Sequence, residues 1–359
     1  MNRNRILALV LSSMLLLSGC GKASTPQAQE PTPTQTIAET KPQETAAPTE
    51  TMPEPIPVAM YENVPEGVSP LTGLPYEGDG KAIMVQIENT PEARPQSGIT
   101  KADLIYEMEV ESQITRLTAF FLSEYPTKVG PVRSARKQHM YLWSEWDYMY
   151  VFYGGSEVAG QNVYRLKEDL EISAPKIDGM AVSKGFSRST DRSAPHNAYI
   201  DLNYLIKNKY EYNPIQRTLY FDSNENFEGE PAININFQYA SNNRISYIFN
   251  KEKKMYEKFI NEKPVTDKED GTTLSVKNII IQYTRHYHVS GTVYTNIDQI
   301  GKGKAEYFTN GVMRTGSWER KDLDSITKYY DENNQEIAFI PGRTFVQIVR
   351  NETEVSVGK

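Results

Sequence analysis

The 359-residue sequence predicts a strand-rich α+β protein: a mixed α/β layered domain over residues 61–215, then a mostly antiparallel β domain over residues 216–359. Three observations lead there. Between residues 82 and 210, apolar runs of strand length alternate with segments of helical periodicity, the mark of strands and helices packed in layers. Beyond residue 218 the pattern becomes short, tyrosine-rich alternating runs separated by Gly, Asn and Asp turns, which reads as antiparallel sheet. Residues 1–60 carry neither pattern.

The chain starts with Arg3 and Arg5, then an apolar run over residues 6–17 broken only by Ser12 and Ser13, then Ser18, Gly19 and Cys20. Such a run falls short of the roughly 20 residues of a membrane span and reads as a signal peptide over residues 1–19. Leu17-Ser18-Gly19-Cys20 resembles the lipobox of bacterial lipoproteins. That resemblance implies cleavage before Cys20, lipidation of its sulfur and acylation of the new amino terminus. At least two acyl chains would hold the protein at the extracellular face of the cell membrane.

Cys20 is the only cysteine, so the folded region forms no disulfide and offers no thiol nucleophile or cysteine metal ligand. Loss of the two leader arginines takes the formal charge from −7 to −9. That acidity argues against nucleic acid as a partner. Residues 20–60 follow as a tether. Positions 21–60 hold eight prolines, eight threonines and no aromatic residue, a composition that cannot bury a core and predicts disorder.

In the first folded part, residues 82–87 and 116–122 read as strands. Residues 103–111 alternate, with Leu104, Tyr106, Met108 and Val110 on one face and Ile105, Glu107, Glu109 and Glu111 on the other. A helix is predicted over 134–146 with Ser134 as N-cap, a strand over 148–153, and a second helix from Ser156 to about 170. A third, short helix follows Asp201 as N-cap. In the second part, strands are predicted at 218–221, 233–237, 245–249, 279–288, 305–308, 326–330 and 344–349, with one helix near Lys321. Turns fall at Asn242-Asn243, Asp270-Gly271, Asn310-Gly311 and Pro341-Gly342.

Pro70-Leu-Thr-Gly-Leu-Pro75, Arg94-Pro-Gln-Ser-Gly98, Ala102-Asp103, Gly130-Pro-Val-Arg-Ser-Ala-Arg136, Gly154-Gly155-Ser156, Arg192 with Pro195-His196-Asn197, Gly316-Ser317-Trp318 and Pro341-Gly342 together resemble the YerB-like lipoproteins of Gram-positive bacteria. The resemblance spans both folded parts. It implies the same envelope compartment as the lipobox and supplies no function, the family being a domain of unknown function.

Two glycine-containing junctions are the sharpest chemical feature. Gly130 to Arg136 and Gly154-Gly155-Ser156 each sit before a predicted helix, whose N-terminus favours anions. Arg133 and Arg136 add planar forks suited to carboxylate or phosphate. Ser134, Gly154, Gly155 and Ser156 are candidate ligand-binding residues with them, joined by Arg192, His196 and Asn197 from the turn-rich segment 187–198. The competing structural reading has serines capping their helices and the arginines pairing with Glu107, Glu109 or Glu111; Arg116 is a ready partner on the next strand. A solvent-facing edge strand would account for those glutamates equally simply. His286 and His288 share a strand face but have no identifiable third ligand, so neither metal nor cofactor is expected. Ser134-Ala-Arg-Lys137 matches Ser-x-x-Lys without the Lys-Thr-Gly that should follow.

The expected function is a non-catalytic binding module for an anionic envelope ligand, such as a wall glycopeptide, a phosphate or a carboxylate. The alternatives are an envelope hydrolase or transferase using Glu107 or Glu111 with His196, and a scaffold that presents the tyrosine-rich β part to another envelope protein.

Overall fold

The computed structural model describes residues 63–208, 210, 212–214 and 217–359. The predicted leader, Cys20 and the predicted tether lie outside the described residues.

The apolar run at residue 83 becomes strand β1 (Ile83–Glu88), buried along its whole length. A hairpin follows, β2 (Leu104–Glu111) and β3 (Ile114–Phe121), turned by Ser112 and Gln113 at positive φ. Next come α1 (Lys137–Trp146), β4 (Met149–Phe152), α2 (Val163–Asp169), β5 (Lys176–Asp178) and α3 (Leu202–Lys207). The remainder is strand: β6 (Asn234–Ala240), β7 (Asn243–Asn250), β8 (Met255–Ile260), β9 (Asn278–Thr284), β10 (Gly301–Thr309), β11 (Val312–Arg320), β12 (Lys328–Asp331) and β13 (Thr344–Arg350), with several two- and three-residue strands between.

The N-terminal part thus contributes a mixed sheet with few helices and the C-terminal part mostly antiparallel pairs, as a strand-rich α+β fold requires. The central sheet has 11 strands in the order β12-β11-β10-β9-β13-β2-β3-β1-β4-β5, with Glu230–Pro231 paired to β11. Strand β13, near the end of the chain, inserts parallel to both β9 and β2, pairing Leu104 with Thr344 and Glu107 with Gln347. Both parts of the sequence therefore share one sheet. A second, six-stranded sheet contains β8-β7-β6 and is closed at one edge by Ser356–Gly358.

Two cores flank the central sheet. On one face Met84, Leu104, Tyr106 and Phe120 pack with Trp143 and Trp146 of α1. On the other, Ile83, Val85, Ile105 and Leu117 pack with Ile235, Tyr247, Tyr256 and Ile260 of the second sheet. The alternation of β2 is as predicted, but its polar face is not exposed. β2 lies between β13 and β3 and is covered by the second sheet, so Glu107 and Glu109 are buried.

Several predicted elements need correction. The first helix begins at Lys137, and Arg136, not Ser134, occupies the N-cap position. Residues before it remain extended because they have partners elsewhere: Val129 bridges Ile200, Val132 bridges Ile87, and Ala135 bridges Gly155. The second helix starts at Val163, with Asn162 rather than Ser156 as N-cap, accepting from the Tyr164 and Arg165 N–H groups. Asp201 does cap α3, accepting from Tyr204 N–H. Residues 218–221 form no strand, only a bridge from Phe221 to Phe339, and the region around Lys321 is a turn rather than a helix. β8 and β11 lie wholly outside the predicted strands. In β8 the buried positions are Tyr256, Lys258 and Ile260, so a lysine occupies a core position and breaks the apolar alternation. Asn310 and Gly311, at φ 50° and 79°, form the predicted tight turn between β10 and β11.

Candidate functional site

The last residue of β1, Glu88, is the hub of the polar cluster. It is nearly inaccessible, yet one carboxylate oxygen lies 3.3 Å from Arg133 Nε and the other 2.9 Å from His196 Nδ1. Thr90 Oγ1 also reaches it. Alongside, Glu111 at the end of β2 pairs with Arg116 at 3.3 Å and Arg136 at 2.5 Å. Arg116 Nη1 donates to the Ser134 carbonyl at 2.6 Å, which joins the two ion-pair groups through residues 133–136. Arg136 also lies over the Tyr294 ring.

Three guanidiniums here face two carboxylates. Burial and this crowding of cations act together on the neighbouring groups. The Arg116 guanidinium is pushed down to about 10, by burial first and by Arg136 next, with Glu111 opposing. Burial, then Arg116 and Arg136, hold the His139 imidazole well below its ordinary range. His139 Nδ1 accepts the Arg136 N–H at 2.9 Å, so the neutral ring serves the start of α1.

Arg133 is the least committed of the three. Its Nε is within ion-pair distance of Glu88 but poorly aligned for a hydrogen bond. Its terminal nitrogens have no hydrogen-bond partner among the described residues. Arg133 and His196 each keep about a quarter of the side chain exposed, while Glu88 between them keeps 3%. An arginine and a histidine, both partly exposed, thus flank a buried carboxylate.

Arg192 has a different task. Its guanidinium donates to the Ala93 and Pro95 carbonyls at 2.8 and 2.7 Å and to Tyr199 Oη, pinning the loop after β1. Asn197 accepts from Arg188 and donates to the Ser189 and Arg192 carbonyls, bracing its own turn. Gly154 N–H donates to Asp178, and Ser156 Oγ accepts from Val158 N–H. A Cβ at Gly155 would lie 2.1 Å from Val163 Cγ2, so that glycine is demanded by α2 packing. Neither junction is an open helix N-terminus.

The glutamates of β2 separate into three environments. Glu107 contacts Lys258, Gln347, Asn89 and Thr115. Glu109 is held by Arg350 from β13 and Thr295. Only Glu111 joins the arginine cluster. His196 pairs with Glu88, not with Glu107 or Glu111, so the pairing imagined for a hydrolase is not formed. Sequence reasoning missed Glu88, Lys258 and Arg350. Glu88 ends an apolar run, and a charged residue closing a buried strand was the available signal.

Among the described residues no group of three or more His, Cys, Asp or Glu side chains is arranged to hold a metal, and no helix is long and apolar enough to cross a membrane. Fold and cluster together define a two-part, strand-rich α+β protein built around a guanidinium–carboxylate network. The chain belongs to the two-part family described as protein of unknown function DUF3048: the N-terminal domain model matches residues 71–214 and the C-terminal one residues 234–346. It is 30% identical over 307 residues to a Bacillus subtilis (strain 168) protein described as "Putative lipoprotein YerB", covering 81% of this chain and 88% of that one. The crystal structure of B. subtilis YerB superposes with a TM-score of 0.70 at 28% identity, covering 80% of this chain and 99% of that one.

Proposed function

We propose that this protein is a lipid-anchored, non-catalytic binding module of the cell envelope, and that an anionic group of its ligand is received at Arg133, with His196 and Arg136 beside it. The anchor rests on the Cys20 lipobox and on the lipoprotein description of the YerB relative. The observation that carries the site is the uncompensated guanidinium. Arg133 shares the buried Glu88 with His196, leaves its terminal nitrogens unpaired, and sits in a cluster where three guanidiniums face two carboxylates. An incoming phosphate or carboxylate would complete the charge balance and gain a bidentate contact. The separation of His196 from Glu107 and Glu111 favours binding over hydrolysis. The burial of Tyr239, Tyr247, Tyr256, Tyr307 and Tyr329 weighs against a tyrosine-faced scaffold.

The test is calorimetric titration of the full-length chain in detergent with inorganic phosphate, glycerol phosphate and a soluble wall glycopeptide fragment. Arg133→Gln should weaken binding by about 1.5–3 kcal/mol, the range for a charged hydrogen bond. The melting temperature should hold, since Glu88 retains His196. No saturable binding of any of the three, or binding indifferent to the substitution, refutes the site.

A further inference from the structure

Beside the loop that Arg192 pins, a cavity of about 360 Å³ opens between residues 91–96 and the β8 hairpin of the second sheet. Its walls are largely apolar: Pro91, Pro95 and Pro264 at the rim, Ile260 and Val265 from the core behind. Two cations line it, Arg94 and Lys263. Neither has a carboxylate within 4 Å among the described residues.

Arg94 is fixed in place rather than free to find a partner. Its Nε and Nη2 donate to the Asn89 carbonyl at 3.1 and 2.5 Å, and Nε also reaches Asn89 Oδ1. Asn89 is held in turn. Its Oδ1 accepts from Gln96 Nε2 at 3.0 Å, and its Nδ2 donates to Glu107 and Thr115. The nearest buried carboxylate is therefore already committed: both Glu107 oxygens are occupied, by Asn89 and Thr115 on one side and by Lys258 and Gln347 on the other. Arg94 Nη1 has no hydrogen-bond partner among the described residues, and the half-buried side chain lines the cavity. A guanidinium locked on one edge and open on the other, in an apolar recess, is a preorganised receptor for a single carboxylate. A phosphate dianion would find too few donors among these walls.

We propose that this cavity binds a small carboxylate with an apolar body, of the size of an N-acylated amino acid or the terminal residue of a peptide, with the carboxylate on Arg94 and Lys263 and the apolar part against Ile260 and Val265. The site is separate from the Arg133 cluster and does not depend on that assignment.

The experiment titrates the full-length chain with N-acetyl-L-leucine, N-acetyl-L-leucine amide, N-acetylglycine and hexanoate, followed by calorimetry and ligand-observed NMR. N-acetyl-L-leucine or hexanoate should bind saturably, the uncharged amide at least tenfold more weakly, and N-acetylglycine more weakly than leucine. Arg94→Gln should abolish binding. Because Arg94 also braces Asn89, Lys263→Glu at an exposed position gives a second reading: a fold that melts as wild type with affinity reduced several-fold. Arg133→Gln should leave this binding unchanged. No binding of either apolar carboxylate, equal binding of acid and amide, or loss in Arg133→Gln with retention in Lys263→Glu would overturn the proposal.

Discussion

Removing the charge on Glu107 should destabilise the protein more than any change at the surface arginines. The carboxylate is fully buried and accepts from four side chains: Thr115 at 2.8 Å, Asn89 and Lys258 at 2.9 Å, and Gln347 at 3.1 Å. Lys258 is equally buried, lies over the Phe345 ring, and has Tyr247 Oη as its other hydrogen-bond partner. Burial depresses the Lys258 amine, and Glu107 is what counters that pull. Glu107→Gln keeps the shape but turns one acceptor into a donor facing donors, and leaves the ammonium without its counter-charge. Breaking a buried pair in this way costs about 3–5 kcal/mol. At roughly 2 °C per kcal/mol, the lower end suited to a chain of this length, the melting temperature should fall by about 6–10 °C. Lys258→Met alone should also destabilise, since it strands the carboxylate. The double variant should be less destabilised than the sum of the two by at least about 2 kcal/mol, the coupling expected of contacting charges. Denaturant melts of all four proteins measure that cycle. Additive effects would mean that the two groups do not depend on each other, and that this centre is held by its neutral hydrogen bonds alone.

The remaining expectations are simpler. Arg116→Ala should cost several kcal/mol, because it uncovers Glu111 and frees the Ser134 carbonyl in a buried setting, whereas Arg133→Ala should cost less than about 1 kcal/mol; paired thermal melts check the order. His139 has a folded pKa well below its ordinary 6.5, so the folded state resists a proton that the unfolded chain accepts. Its contribution is fully present above 6.5 and is lost as pH falls below it, at up to about 1.4 kcal/mol per pH unit, and His139→Gln should flatten that limb of the stability profile. Cys20→Ala should release the protein from the membrane fraction without changing its melting temperature, and fractionation showing a processed, membrane-bound variant would refute the anchor.

What the sequence carried, and what it did not, follows from the range of each interaction. Local signals survived: the period-2 pattern of residues 104–110, the Asp201 cap and the Asn310-Gly311 turn depend on neighbours within a few positions, and each appears where it was expected. Ser134 and Ser156 carried the same kind of signal and misled. Residues around them are held extended by Ile87, Gly155 and Ile200, partners that no local pattern reveals. The polar face of β2 misled for the same reason at greater range. The sequence left Glu107 and Glu109 between arginine pairing and a solvent-facing edge, because what covers them, Lys258 and Arg350, lies 151 and 241 residues further along the chain. The candidate site was half legible on the same terms. Arg133, Arg136 and His196 were identifiable as charged residues in turn-rich segments, but residue type alone does not tell an arginine that faces a ligand from one that neutralises a carboxylate. That distinction lies in the stoichiometry of the folded cluster: Glu111 is shared by Arg116 and Arg136, while Glu88 is shared by Arg133 and a histidine held outside the arginine group. A third carboxylate in contact with Arg133 would have closed the cluster as an internal brace. Without one among the described residues, the surplus charge turns outward, and an arginine that the sequence left ambiguous becomes the group on which a ligand reading rests.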